Sequence, residues 1–217
     1  MDEAHRVDAE RMRALLATNR VSPAAFRAAQ AEVPGAYRDA WVDLIFGLGE
    51  LADDDCALPS GCVPYLPCPV DTVSKMVTLA EVSEADLFVD IGSGVGRTAA
   101  LTHLLSGASA IGLEVQPHLV RSSRELLKRL RGSRVAIVEG DAGRLTSLMT
   151  IGSVFFLYCP FSGARLEKVL RDLERIARAR PIRVCCVDLP LPPCPWLSIV
   201  ASDGSLEIYR SSAICRS

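Results

Sequence analysis

No apolar run in the 217 residues approaches the roughly eighteen that a membrane-spanning helix requires, and the acidic start Met1-Asp2-Glu3 is unlike a signal peptide. A soluble, cytoplasmic chain with no membrane partner is expected. Positive charge is not in excess: 24 Lys and Arg stand against 26 Asp and Glu, for a net charge of −2 and a pI near 6.0. Such a chain has no global basic field to draw it onto nucleic acid. The basic residues Arg121, Arg124, Lys128, Arg129, Arg131 and Arg134 read as a solvated helix face rather than a binding patch. No C-x-x-C pair occurs among the eight cysteines, and Cys56, Cys62 and Cys68 do not have zinc-ligand spacing. No metal is expected; the thiols should be reduced, with Cys185 and Cys186 acting as small hydrophobes inside a strand. Histidine is scarce, and neither His103, mid-helix, nor His118, at a helix start, suits a general base.

What is present is a 49% hydrophobic composition with mean hydropathy +0.24, enough for one substantial α/β core and little more. The chain divides into a helical extension (1–51), a Pro-rich connecting loop (52–70) and a single larger domain (71–217). In the extension, Ser22-Pro23 supplies a cap and a first-turn proline. Tyr37, Trp41, Leu44, Ile45 and Leu48 then form one apolar stripe at helical spacing. The loop opens with Asp53, Asp54 and Asp55 and carries Pro59, Pro64, Pro67 and Pro69.

The domain is organised around Leu87-Phe-Val-Asp-Ile-Gly-Ser-Gly-Val-Gly-Arg97, a buried strand breaking into alternating glycines and then a helix. Glycines at 92, 94 and 96 let a ligand press on the main chain. The dinucleotide fingerprint G-x-G-x-x-G would need glycine at 97, where Arg stands. Asp90 at the mouth of the turn would repel a pyrophosphate and attract a cation. A ligand with an ammonium, a sulfonium and no phosphate is S-adenosylmethionine, whose methionine ammonium Asp90 suits. Two further strands end in acids: Ser109-Ala-Ile-Gly-Leu-Glu114, where a carboxylate can accept both ribose hydroxyls, and Val135-Ala-Ile-Val-Glu-Gly-Asp141, which can accept from the adenine amino group.

Val-Asp-Ile-Gly-Ser-Gly-Val-Gly-Arg, Gly-Leu-Glu and Glu-Gly-Asp-Ala resemble the successive motifs of class I, seven-strand S-adenosylmethionine-dependent methyltransferases. Pro64-Tyr-Leu-Pro67 and Ile-Gly-Leu-Glu-Val-Gln-Pro narrow the resemblance to the non-SET protein-lysine methyltransferases. The likeness implies a Rossmann-like α/β fold: a seven-strand sheet, mostly parallel with a C-terminal antiparallel hairpin, preceded by the helical extension. It implies a cofactor site of Tyr65, Asp90, Gly92, Ser93, Gly94, Gly96, Glu114, Val115, Asp141 and Ala142, with Tyr65 against the methionine end.

Short strands and helices indeed alternate from Leu87 to Asp188, the pattern of a parallel sheet with right-handed crossovers. After Asp188, Leu-Pro-Leu-Pro-Pro-Cys-Pro cannot form the family's usual helix, and 196–200 with 205–211 reads as the closing hairpin. At the end of the fourth strand, where amino-methylating relatives carry Asn-Pro-Pro-Tyr or Asp-Pro-Pro-Tyr, this chain has Tyr158-Cys-Pro-Phe161. The polar acceptor is gone, and Tyr158 and Phe161 remain as aromatic walls for an alkyl ammonium. Methyl transfer to a protein lysine is expected; a small-molecule acceptor and a catalytically silent cofactor-binding subunit are the alternatives. Nothing in the sequence specifies an oligomeric state.

Overall fold

The computed structural model describes residues 1–49, 58 and 61–212. Cys56, Pro59 and the aspartate run 53–55 of the connecting loop lie outside the described residues.

Three helices come first: α1 (Glu3–Leu16), α2 (Pro23–Glu32) and α3 (Gly35–Phe46). Asp2 caps α1 by accepting from the His5 N–H, and Ser22 caps α2 by accepting from the Ala25 N–H, with Pro23 in its first turn. Of the stripe on α3, Trp41 and Ile45 are almost wholly enclosed, while Tyr37, Leu44 and Leu48 are half-buried against the same cluster and Leu48 lies beyond the helix end; Phe46, outside the stripe, is also enclosed. Helix α4 (Val70–Leu79) turns Val73, Met76 and Val77 inward and leads to the sheet.

The sheet elements follow as β1 (Leu87–Ile91), α5 (Arg97–Ser106), β2 (Ser109–Glu114), α6 (Pro117–Arg129), β3 (Val135–Glu139), α7 (Ala142–Leu145), β4 (Val154–Tyr158), α8 (Gly163–Ala179), β5 (Arg183–Val187), β6 (Leu197–Asp203) and β7 (Leu206–Ser211). Strand order is β3-β2-β1-β4-β5-β7-β6; the first five are parallel, and β7 runs antiparallel to both β5 and β6. Helix α5 begins at Arg97, because Gly96 holds the left-handed conformation (φ 76°) just before it. The short α7 was not legible, since four residues carry no period. No helix intervenes between β5 and β6, as the prolines require.

One hydrophobic cluster joins α1 to α5 with one face of the sheet, through Phe26, Trp41, Met76, Leu101 and Phe156; the other packs α8 on the opposite face, through Leu166, Val169, Leu173 and Phe155. Helix α6 buries Leu119, Val120 and Leu126 and turns Arg121, Arg124 and Lys128 to solvent. Cys185 and Cys186 are enclosed in β5. Among the described residues, no helix is long and apolar enough to cross a membrane, and no group of three or more His, Cys, Asp or Glu is disposed to hold a metal.

The sequence-adjacent strands β1 and β2 lie side by side, but β1 also pairs with β4, so the chain reverses direction across the sheet at the β1/β4 junction. A crevice beyond the carboxyl ends of the strands is the consequence. Register places Asp90 beside Gly112 and Phe156, Glu114 beside Glu139, and Tyr158 beside Val187.

Candidate active site

At the crevice the main chain turns after Ile91 through Gly92 (φ 84°), Gly94 (φ 54°) and Gly96 (φ 76°). The Gly92 and Ser93 N–H groups both donate to the Leu113 carbonyl at 3.0 Å, tying the turn to β2. Glu114 then braces it: one carboxylate oxygen accepts from the Gly94 N–H and the other from the Gln116 N–H, each at 2.8 Å. A carboxylate oxygen has two lone pairs, so both keep capacity for a ligand hydroxyl.

Asp90 is 3% exposed, and its Oδ2 has no hydrogen-bond partner among the described residues; the buried Ser93 Oγ is in the same condition. Burial, then the nearby Glu114 charge, pushes the Asp90 carboxyl up to about 7. Asp141 caps α7 by accepting from the Gly143 N–H at 2.8 Å and is ion-paired with Arg165 of α8.

These groups face one cleft of about 880 Å³, counted out to its open mouth. Its walls hold most of the residues that the motifs pick out: Tyr65, Asp90, Gly92, Ser93, Glu114, Val115, Asp141, Ala142, Tyr158 and Phe161. Gly94 and Gly96 are not among them. Gly92 is exposed in the cleft, whereas Gly94 and Gly96 are buried, and at all three the space a β-carbon would take is filled or crowded by a side chain. A Cβ on Gly94 would lie 2.0 Å from the Tyr65 ring, one on Gly92 2.7 Å from Pro160, and one on Gly96 3.1 Å from Ile137.

The opposite end of the cleft is made by the end of β4. Tyr158 is partly exposed, Cys159 takes a left-handed φ of 39°, and Phe161 is 3% exposed within the α8 cluster. Phe161 thus serves core and cleft together. A strap, residues 61–69, crosses here: Cys62 bridges Phe161 in antiparallel fashion, Val63 N–H donates to Pro160 O at 3.1 Å, and Ser162 N–H donates to Gly61 O at 3.2 Å. Burial raises the Tyr158 phenol, and the nearby Asp188 charge acts in the same direction; Asp188 stands just past β5 with a left-handed φ of 49°. Burial also pushes the Tyr65 phenol up.

Arg97, Arg165, Gln116 and Cys62 belong to this region but were not read from the sequence as site residues; Cys62 figured only among cysteines without zinc-ligand spacing, and Gln116 only within a motif. Arg97 entered only as the glycine that was absent. The i, i+4 carboxylates Asp39 and Asp43 on α3, which it pairs, were the available signal.

Residues 38–145 match the family described as protein-L-isoaspartate(D-aspartate) O-methyltransferase. A protein-L-isoaspartate O-methyltransferase 1 of Geotalea uraniireducens is 29% identical over 204 residues, 93% of this chain and 85% of that protein. A protein-lysine N-methyltransferase of Saccharolobus islandicus is 34% identical over 121 residues, 52% of this chain and 74% of that protein. The chain belongs to the class I S-adenosylmethionine-dependent methyltransferases. A solved putative methyltransferase from Escherichia coli shares the methyltransferase fold with a TM-score of 0.55 at 19% identity, over 72% of this chain and 91% of that one.

As a methyltransferase of this class the protein uses S-adenosylmethionine, which when bound supplies a methyl group on a sulfonium sulfur. The cleft fits that cofactor. It offers a cationic ligand the unpartnered Asp90 oxygen, offers hydroxyls the spare lone pairs of Glu114, and presents three carboxylates against one ion-paired arginine, a poor setting for phosphate.

Proposed function

We propose that this methyltransferase transfers its methyl group to a side-chain amine on a protein, a lysine nitrogen. The observation that carries this reading is the acceptor end of the cleft, walled by the rings of Tyr158 and Phe161. The described walls of the whole cleft hold Asp90, Glu114 and Asp141, and their single cation, Arg165, is engaged with Asp141. Those three carboxylates serve the cofactor, and Arg165 has a buried Nε, unpartnered among the described residues, for a carboxylate acceptor, so it is the aromatic walls that favour an ammonium. Tyr158 and Phe161 offer ring faces to an alkyl ammonium, and the charge of Asp188 reaches Tyr158. Entry between these rings strips water from the amine and lowers its pKa, favouring the neutral nucleophile. Positioning and a dry channel are then the main contributions of the chain.

On the cofactor side, the proposed roles are Asp90 toward the methionine ammonium, Glu114 toward the ribose hydroxyls and Asp141 toward the adenine amino group. Gly92, Ser93, Val115 and Ala142 contribute main chain and walls. Gly94 and Gly96 act from behind, by admitting Tyr65 and by turning the chain into α5.

A second reading, methylation of an isoaspartyl carboxyl, is favoured by the matched family and by the Geotalea relative. The family match ends at residue 145, before β4 and the acceptor end, so it bears mainly on the cofactor half.

The two products differ chemically: a carboxyl methyl ester hydrolyses in mild alkali and releases methanol, whereas an N-methyl group persists. Full-length protein incubated with methyl-labelled S-adenosylmethionine and cell extract should put label into macromolecular material that survives alkali. Volatile label would establish the isoaspartyl reading, and label confined to small molecules would exclude a protein acceptor.

A mutation separates the two ends of the cleft. Phe161→Ala is a poor probe, because emptying that core position costs about 3–5 kcal/mol of stability. Tyr158→Leu keeps the bulk and removes the ring. It should raise KM for the acceptor about tenfold, the size of a cation–π contact of roughly 1.4 kcal/mol, while the Kd for S-adenosylmethionine changes little. An unchanged acceptor KM would remove Tyr158 from the channel.

A further inference from the structure

Arg97 is 2% exposed, at the first position of α5 and immediately after the last glycine of the turn. A buried guanidinium is expected to be fully partnered. Here each nitrogen is used, and the partners come from two distant parts of the chain. Nε donates to Asp43 Oδ1 at 2.6 Å, Nη2 to Asp39 Oδ1 at 2.8 Å, and Nη1 to the main-chain carbonyl of Cys68 at 2.6 Å. Asp39 Oδ1 also accepts from the Val70 N–H at 3.0 Å, so the same cluster holds the junction between strap and α4.

The strap is therefore anchored at both ends. Its start is paired to Pro160, Phe161 and Ser162 beyond β4, and its end is held by Arg97. Between the anchors, Tyr65 lies on Gly94, three residues before Arg97, closely enough that no β-carbon fits beneath the ring.

We propose that Arg97 is a positioning residue that acts through Tyr65: by fixing the strap's end to the glycine turn, it sets the aromatic roof of the cofactor site, and it recruits Asp39 and Asp43 of the N-terminal helices into that function. The inference rests on the turn being the cofactor turn, as the family requires. It accounts for the three charged residues that join α3, the start of α5 and the strap's end. It also gives the N-terminal extension a part in binding rather than only in covering the sheet.

The test is a double-mutant cycle in the full chain, read as the Kd for S-adenosylmethionine by isothermal titration, with circular dichroism to establish folding. Wild type must bind; if it does not, the cofactor-turn assignment itself fails. Arg97→Met, which keeps the stem but not the fork, should weaken affinity about tenfold or more, as loss of several charge-assisted hydrogen bonds implies. Arg97→Lys can meet one carboxylate but cannot bridge three acceptors, and should fall between. If Arg97 acts through the ring, Arg97→Met on a Tyr65→Ala background should cost less than twofold. Full additivity, or wild-type affinity in a folded Arg97→Met protein, overturns the proposal. Should Arg97→Met not fold, Asp39→Asn and Asp43→Asn replace it, since both aspartates are substantially exposed (55% and 38%). Each should weaken binding about threefold on the wild-type background and not on Tyr65→Ala, and wild-type affinity in both overturns the assignment.

Discussion

Gly94→Ala should reduce affinity for S-adenosylmethionine by at least about a hundredfold, the largest effect expected of any single methyl group in this protein. Two costs combine. The left-handed φ of 54° disfavours any residue with a β-carbon by about 1–2 kcal/mol. The added carbon would also stand 2.0 Å from Cε2 and 2.1 Å from Cδ2 of Tyr65, so the ring must leave its seat. The Gly94 N–H is in addition the donor that holds Glu114 in place, and a shifted turn breaks that bond as well. Isothermal titration measures the loss. Thermal melting supplies the sharper check: Tyr65→Ala should partly restore the stability of Gly94→Ala, because removing the ring relieves the collision and leaves only the backbone cost. A double variant that melts below Gly94→Ala alone would mean that the ring does not meet residue 94.

The sheet was legible in the sequence because its signals are local. Leu87–Ile91, Ser109–Glu114 and Val154–Tyr158 are short apolar runs, α6 and α8 carry a clear stripe, and the prolines after Asp188 announce the missing crossover helix. Acids at the ends of β1 and β2 and just beyond β3 also stood out, and topology gathers Asp90, Glu114 and Asp141 at one cleft. Their order along the chain mirrors the order β1, β2, β3 across the sheet, so a linear pattern became a spatial one.

What stayed hidden depends on contacts between distant residues. The glycines were readable as positions that need no β-carbon, but the occupant of each space was not: Tyr65 comes from the strap and Pro160 from beyond β4. Asp141 was readable as an acid beyond a strand; its duties as a helix cap and as the partner of Arg165 depend on α7 and α8 converging there. Phe161 was readable as an aromatic at the right place, yet its burial against α8 decides how it can be tested. Arg97 carries no local mark of burial, because an arginine after a glycine turn ordinarily reaches water.

The second large effect concerns pH, and its sign follows from Asp90. In the folded protein without ligand, burial and then Glu114 hold this carboxyl near 7 against an ordinary value of 3.8. Between those two values the folded chain keeps a proton that the unfolded chain has lost. The contribution of Asp90 therefore lowers stability as pH rises through this window, and the loss is complete above about 7. Cofactor binding should run the other way. If the methionine ammonium sits against Asp90, it requires the carboxylate, so binding below pH 7 expels a proton, and affinity should fall by up to about tenfold for each pH unit below that point. Titration at pH 6 in two buffers of different ionisation enthalpy should count close to one proton released per cofactor. Asp90→Asn, isosteric and neutral, should bind about ten- to a hundredfold more weakly at pH 7.5, in line with loss of a charged hydrogen bond of roughly 1.5–3 kcal/mol, and should release no proton at pH 6. It should also stabilise the ligand-free protein at pH 7.5, because no buried charge remains to be desolvated. Equal wild-type affinity at pH 5.5 and 7.5 with no proton release would place the ammonium elsewhere in the cleft.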